Sequence, residues 1–127
     1  VIHIKTIIQT KKAPQAIGPY SQAVQFGNLL FISGQLGLDI TGNLIAGDII
    51  AQTRQALENV NSILEAAGLQ MNDVLKTTVY LTDLKNFTIA NQIYGEYFQA
   101  PFPARACIQI AKLPKDALVE IEAIAGR

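Results

Sequence analysis

At 127 residues the chain is long enough for one domain with a buried core, and its balance of 50% hydrophobic to 16% charged residues excludes disorder. Ten basic and ten acidic residues cancel, so no cationic surplus exists for counterion-driven binding of nucleic acid. One Cys excludes an internal disulfide, and one Cys with one His cannot close a four-ligand zinc site; the composition suits a reducing, cytoplasmic compartment.

In chain order, Ile4 to Ile8 is a β-branched run and reads as a first strand. Its surroundings, from Val1 to Lys5, lack the basic leader and apolar stretch of a signal peptide. Ala13 to Pro19, with two prolines and a glycine, is a loop. Ser21 to Phe26 and Leu29 to Ser33 flank Gly27-Asn28, a two-residue turn that makes them a hairpin. Gly34 to Gly47 holds four glycines and is expected to be a long loop. The period then becomes helical: Ile49, Thr53, Ala56, Leu57, Val60, Ile63, Leu64 and Ala67 form one stripe, and Gln52, Arg54, Gln55, Glu58, Asn59, Ser62 and Glu65 the opposite face. Asp48 is the expected N-cap and Gly68 the residue that ends the helix. Val74 to Leu81 is strand-like. Asp83 is the expected cap of a second helix with the stripe Phe87, Ala90, Ile93, Tyr94, Tyr97 and Phe98, stopped by Pro101 and Pro103. Ala104 to Ile110 and Leu118 to Ala125 are the last strands, joined through a turn at Leu113 to Asp116. No apolar run, the longest resembling Leu29 to Ile32, approaches the ~20 residues of a membrane span.

Six strands and two helices in this order predict an α+β fold: one mixed six-stranded sheet with both helices on one face, in a single domain over residues 1–127. The face without helices carries too many apolar groups for water, which predicts a homo-oligomer.

Alternation assigns side chains to faces. Ala104, Ala106, Ile108 and Ile110 are expected under the helices, with Val119, Ile121, Ala123 and Ala125. Arg105, Cys107 and Gln109 then share the open face with Leu118, Glu120, Glu122 and Ile124, on strands expected to be neighbours. Two readings follow. Arg105 pairs with Glu122 or Glu120 across the strands, worth about 0.2–1 kcal/mol. Alternatively, its planar fork meets a ligand carboxylate, worth about 1.5–3 kcal/mol, and Glu120 is left as a base or a holder of water. Cys107 has no His in its strand to make a thiolate and reads as a small buried hydrophobe.

The strings Ala16-Ile17-Gly18-Pro19-Tyr20-Ser21-Gln22-Ala23, Gly27 through Gln35, Pro103-Ala104-Arg105-Ala106-Cys107, Leu113-Pro114-Lys115 and Val119-Glu120-Ile121-Glu122-Ala123-Ile124-Ala125 resemble the RidA/YjgF family of reactive-intermediate deaminases. The resemblance spans nearly the whole chain. It implies a chorismate-mutase-like fold, a homotrimer with a pocket at each subunit interface, and hydrolysis of 2-imino acids and enamines such as 2-aminoacrylate to 2-oxo acids and ammonia. The intermediates come from pyridoxal-phosphate-dependent dehydratases, and neither cofactor nor metal is implied. By motif position, Arg105 resembles the clamp on the substrate carboxylate and Cys107 a backbone N–H donor to it. Glu120 resembles the holder of the attacking water, with the Gly34 carbonyl as helper. Tyr20 resembles a wall reaching across the interface, and Ser33 and Asn91 match further pocket positions. Two other functions compete: a regulatory trimer that binds a 2-oxo acid, and a translation-inhibiting endoribonuclease. The absence of a basic stripe and of a paired His and Lys counts against the latter.

Overall fold

The structure, a computed structural model, describes residues 2–127. Its strands are β1 (Thr6–Ile8), β2 (Ala23–Phe26), β3 (Leu29–Leu36), β4 (Val74–Leu81), β5 (Ala104–Gln109) and β6 (Val119–Gly126); its helices are α1 (Ile49–Ala66) and α2 (Phe87–Tyr97). The strands form one mixed sheet in the order β1-β2-β3-β6-β4-β5. Both helices pack on the same face, giving the expected α+β layer.

Local chemistry explains the elements. Gly27 takes φ +61°, as the β2–β3 turn requires. The Asp48 carboxylate accepts the N–H groups of Ile50 and Ala51 at 3.0 and 3.4 Å and so starts α1. Gly68, at φ +75°, ends it, donating its N–H to the Glu65 carbonyl while Leu69 donates to Leu64. The α1 stripe from Ile49 to Leu64 is buried, each large apolar side chain contributing roughly 1.5–3 kcal/mol. Two residues of its polar face are buried as well. Gln52 accepts the Leu118 N–H at 2.8 Å, and Asn59 donates to the carbonyls of Leu36 and Leu38 at 3.1 and 2.9 Å. A polar residue read as solvent-facing is thus a bracket between the helix and the chain leaving β3.

Three other expectations are corrected. β3 runs on to Leu36 through a bulge, because two residues, Ser33 and Gly34, stand opposite Glu122 alone. Asp83 caps a separate 3₁₀ turn over Leu84–Asn86, and Asn86 precedes α2 without a capping side chain. The largest correction concerns the last strands. β5 pairs with β4 in parallel, α2 being the crossover that a parallel pair requires. β6 then returns antiparallel between β3 and β4, so β5 and β6 are not neighbours. In register, Arg105 lies beside Thr77 and Ala123, and Cys107 beside Val79 and Ile121, all on the helix face. Ala104, Ala106 and Ile108 are exposed rather than buried under helices. Within β6 the assignment holds: Val119, Ile121, Ala123 and Ala125 are buried in the core, while Glu120, Glu122 and Ile124 face the open side. Leu118, expected with the latter, precedes the strand and packs against the helix-side core, its N–H bonded to Gln52 of α1.

Candidate active site

The seven candidate residues fall into two groups on opposite faces of the sheet. The first gathers around Arg105 where α2 meets the edge strand β5. Its guanidinium carbon lies 4.8 Å from the centre of the Tyr94 ring and 5.6 Å from that of Phe87. Its Nη1 donates to Asn91 Oδ1 at 2.7 Å. Phe87, Asn91 and Tyr94 are spaced four and three apart, so one face of α2 presents ring, amide and ring to the guanidinium. Tyr94 is itself fixed by a buried 2.7 Å hydrogen bond between its hydroxyl and that of Thr77. No carboxylate among the described residues lies within ion-pair distance of Arg105, so the cross-strand pair with Glu120 or Glu122 is ruled out within the chain. A stacked guanidinium with donors unspent is a receptor for a planar anion. Cys107 lies beside it, half-buried, and burial pushes its thiol above the usual range, which suits a packing role. The guanidinium opens into a cavity of about 430 Å³ lined by Asn91, Tyr94, Gly95, Phe102 and Pro103.

The second group surrounds Glu120. It lines a larger cavity, about 620 Å³, with Tyr20, Ser33, Gly34, Tyr80, Lys115 and Glu122. Gly34 is there for space: a Cβ on it would stand 2.7 Å from the Glu120 carboxyl carbon. The bulge thus lets Glu120 lie against bare backbone. Burial raises the proton affinity of Glu120, and the Glu122 carboxylate two residues away adds to this. Tyr80 donates to Glu122 at 2.5 Å, and that bond holds the phenol protonated above its ordinary range. Ser33 donates its hydroxyl to the Ser21 carbonyl at 2.6 Å, and Tyr20 stands half-exposed at the rim. Glu120 is therefore a carboxylate of raised basicity facing a hollow, with no side-chain partner of its own among the described hydrogen bonds.

Sequence reasoning did not assign site roles to Phe87, Tyr94, Tyr80, Gly95 or Phe102. The signal for the first two was present: polar Asn91 interrupts the apolar face of α2 between them.

The remainder of the open face carries Ile7, Phe26, Leu29, Phe31 and Ile108, each 40% to 47% exposed. The loops around Leu38 and Leu113 cover only its Leu36 end.

The model of the family described as Endoribonuclease L-PSP matches residues 10–126, almost the whole chain. The chain belongs to the RidA/YjgF family. Among relatives in this family, a RutC family protein of Pyrococcus horikoshii is 54% identical over 123 residues, covering 96% of this chain and 98% of its own. The 2-iminobutanoate/2-iminopropanoate deaminase of Mus musculus is 53% identical over 123 residues, covering 96% and 91%. The crystal structure of E. coli TdcF with bound serine superposes with a TM-score of 0.92 at 49% identity, covering 97% of this chain and 99% of that one. TdcF thus shares the fold described above over nearly its whole length.

Proposed function

We propose that the chain hydrolyses reactive 2-imino acids and their enamine tautomers, of the 2-aminoacrylate and 2-iminopropionate type, to 2-oxo acids and ammonia. We further propose that each site is completed by a neighbouring copy in a chorismate-mutase-like homotrimer. The observation that carries this reading is that Arg105 and Glu120, each with unspent bonding capacity, line separate hollows on opposite faces of one sheet. Only a second copy, its Glu120 face set against the Arg105 edge of the first, brings them to one substrate. Joining two different surfaces is a heterologous contact, which closes into a three-membered ring when each copy is turned by a third of a circle from the last. The exposed apolar open face gives that contact its driving force.

The chemistry fits these groups. Arg105 takes the substrate carboxylate in its fork, with the Cys107 N–H as a second donor and Asn91 holding the guanidinium in place. A 2-imino acid has few atoms, and at no more than ~1.5 kcal/mol per heavy atom its binding depends on capture of that charge. The iminium carbon is already electrophilic, so water can attack directly. Glu120, assisted by the Gly34 carbonyl, orients the water and accepts one of its protons as the C–O bond forms. The proton passes from Glu120 to the amino group of the carbinolamine. The C–N bond then breaks, ammonia leaves, and the hydroxyl loses its proton to give the 2-oxo acid. Tyr20 and Ser33 shape the wall on the Glu120 side. The deaminase named in mouse and the serine bound by TdcF support a small carboxylate-bearing substrate. Pyridoxal-phosphate-dependent dehydratases are the class of enzyme that releases such imines.

The test adds the protein to a serine dehydratase reaction and follows loss of the imine by semicarbazide trapping. Acceleration is expected, abolished in Arg105→Ala. In Arg105→Lys, kcat/KM is expected to fall about 10- to 100-fold, because a point charge replaces the fork. Binding of a 2-oxo acid without acceleration would replace the enzyme by a metabolite sensor. Salt-sensitive RNA cleavage surviving Arg105→Ala would move the function to nucleic acid.

A further inference from the structure

Two carboxylates of identical chemistry, Glu120 and Glu122, line the same hollow on the open face. They stand two residues apart on β6, so their Cα atoms are about 6–7 Å from each other. The neighbouring strand treats them differently. In the β4–β6 register Tyr80 is directly opposite Glu120, and Thr78 is opposite Glu122. Yet the Tyr80 hydroxyl passes its own cross-strand neighbour and donates to Glu122 Oε1 at 2.5 Å. Such a diagonal is within the reach of a long aromatic side chain. The hydroxyl thus serves one carboxylate and leaves the other, Glu120, with no side-chain donor among the described residues. A donor favours the charged form of the carboxylate it serves, and a charge held nearby disfavours ionisation of a second one. Where environments push two titratable groups apart in this way, their acid–base roles divide accordingly.

The other groups that face Glu120 leave this division in place. Lys115 lines the hollow from the loop before β6, but its ammonium donates to the Gly42 carbonyl at 2.7 Å. It forms no ion pair with either carboxylate among the described residues. Tyr20, at the rim, accepts the Ile17 N–H at 3.4 Å. β3 brings no titratable side chain, and Lys76 of β4 stands opposite Ile124, beyond Glu122. In the proposed trimer the partner's Arg105 meets the same hollow, equally in the parent and in any variant on β4 or β6. The Tyr80 ring packs with Leu36, Leu113 and Ala117, so its hydroxyl can be removed without removing its place in the fold.

We propose that Tyr80 and Glu122 are positioning residues for the reaction at Glu120: the hydroxyl holds the Glu122 carboxylate as a fixed charge, so that Glu120 is the one of the pair that takes the proton of the attacking water. This rests on the deaminase reading, and the experiment separates the two. The imine is generated from alanine by an excess of L-amino acid oxidase, and kcat/KM for its decay is followed between about pH 4 and 8 in the parent, Glu122→Gln and Tyr80→Phe. In parallel, Glu120 is titrated by NMR of the glutamate carboxyl carbons, its signal assigned with Glu120→Gln. Glu122→Gln keeps an acceptor for the Tyr80 hydroxyl and removes the charge. It is expected to move the acidic limb of the profile and the Glu120 titration down by about half a pH unit or more. Tyr80→Phe keeps the ring and removes the donor, and is expected to move both the same way by a smaller step. A loss of rate with the limb in place in either variant is what a packing role alone would give, and overturns the proposal while leaving the deaminase reading intact. A parent that accelerates no imine overturns the deaminase reading. The tuning of Glu120 by the pair is then decided by NMR: a titration lowered in both variants upholds it, and one unmoved in either overturns it.

Discussion

Glu120 has a raised proton affinity because it is half-buried and shares its face with Glu122. As the proposed proton acceptor it would have to be ionised, so deaminase activity is expected to fall on acidification at a pH above the ordinary glutamate value of about 4.3. The same displacement acts on stability. The folded chain holds this proton more tightly than the unfolded chain, so stability is lost as pH rises from the ordinary value through the raised one. Glu120→Gln is therefore expected to melt at a higher temperature than the parent at neutral pH and to lose that advantage below pH about 4; an equal difference at both pH values would contradict it. Gly34 offers a second probe. Its absent Cβ leaves room for the Glu120 carboxyl, whose flexible end moves more readily than the strands. Gly34→Ala is expected to fold with an unchanged Tm yet lose on the order of 10²-fold in kcat, the effect of displacing a catalytic group by about 1 Å. Full activity would show that the contact with Gly34 does not position the carboxylate.

Among the elements, α1 shows how burial of polar groups divides into two cases. Asn59 satisfies two backbone carbonyls, whereas Thr53 Oγ1 is buried with no hydrogen-bond partner among the described residues. Asn59→Leu is expected to cost about 1–3 kcal/mol by orphaning those carbonyls, and Thr53→Val to stabilise by about 1 kcal/mol, both read from urea denaturation. A destabilising Thr53→Val would mean that the hydroxyl has a role in the fold. The two residues also mark how far the sequence pattern reaches. The α1 stripe, both its ends and the β2–β3 turn were legible because spacing, a capping Asp and glycines at turns are local signals. Burial of Gln52 and Asn59 was not legible, since their partners, Leu118 and the Leu36–Leu38 segment, are far along the chain. β5 shows the stronger limit. Alternation identified two sets of side chains in Ala104 to Ile110 but could not tell which set faces the helices. The expected hairpin with β6 chose the wrong one. The parallel crossover through α2 carries β5 to the sheet edge, where small Ala104 and Ala106 are left exposed and Arg105 turns toward α2. For the proposed site, Arg105, Glu120, Gly34 and Cys107 were singled out by motif, while the two rings packed against Arg105 needed the fold.

At the scale of the whole molecule, the corrected strand order changes what the site requires. With Arg105 on the helix face and Glu120 on the open face, the two proposed groups of a single chain do not meet. In the proposed assembly, the apolar open face beside Glu120 is the surface on which another copy would seat. The most direct test is complementation. Arg105→Ala and Glu120→Ala, each inactive alone, are unfolded, mixed in equal amounts and refolded. Three quarters of random trimers contain both variants, and each of these holds one intact site in three, so about one quarter of the parent's activity is expected to return. Mixed trimers of normal mass that remain inactive would contradict the account, because they would show that a guanidinium from one copy and a carboxylate from the next do not form the catalytic pair.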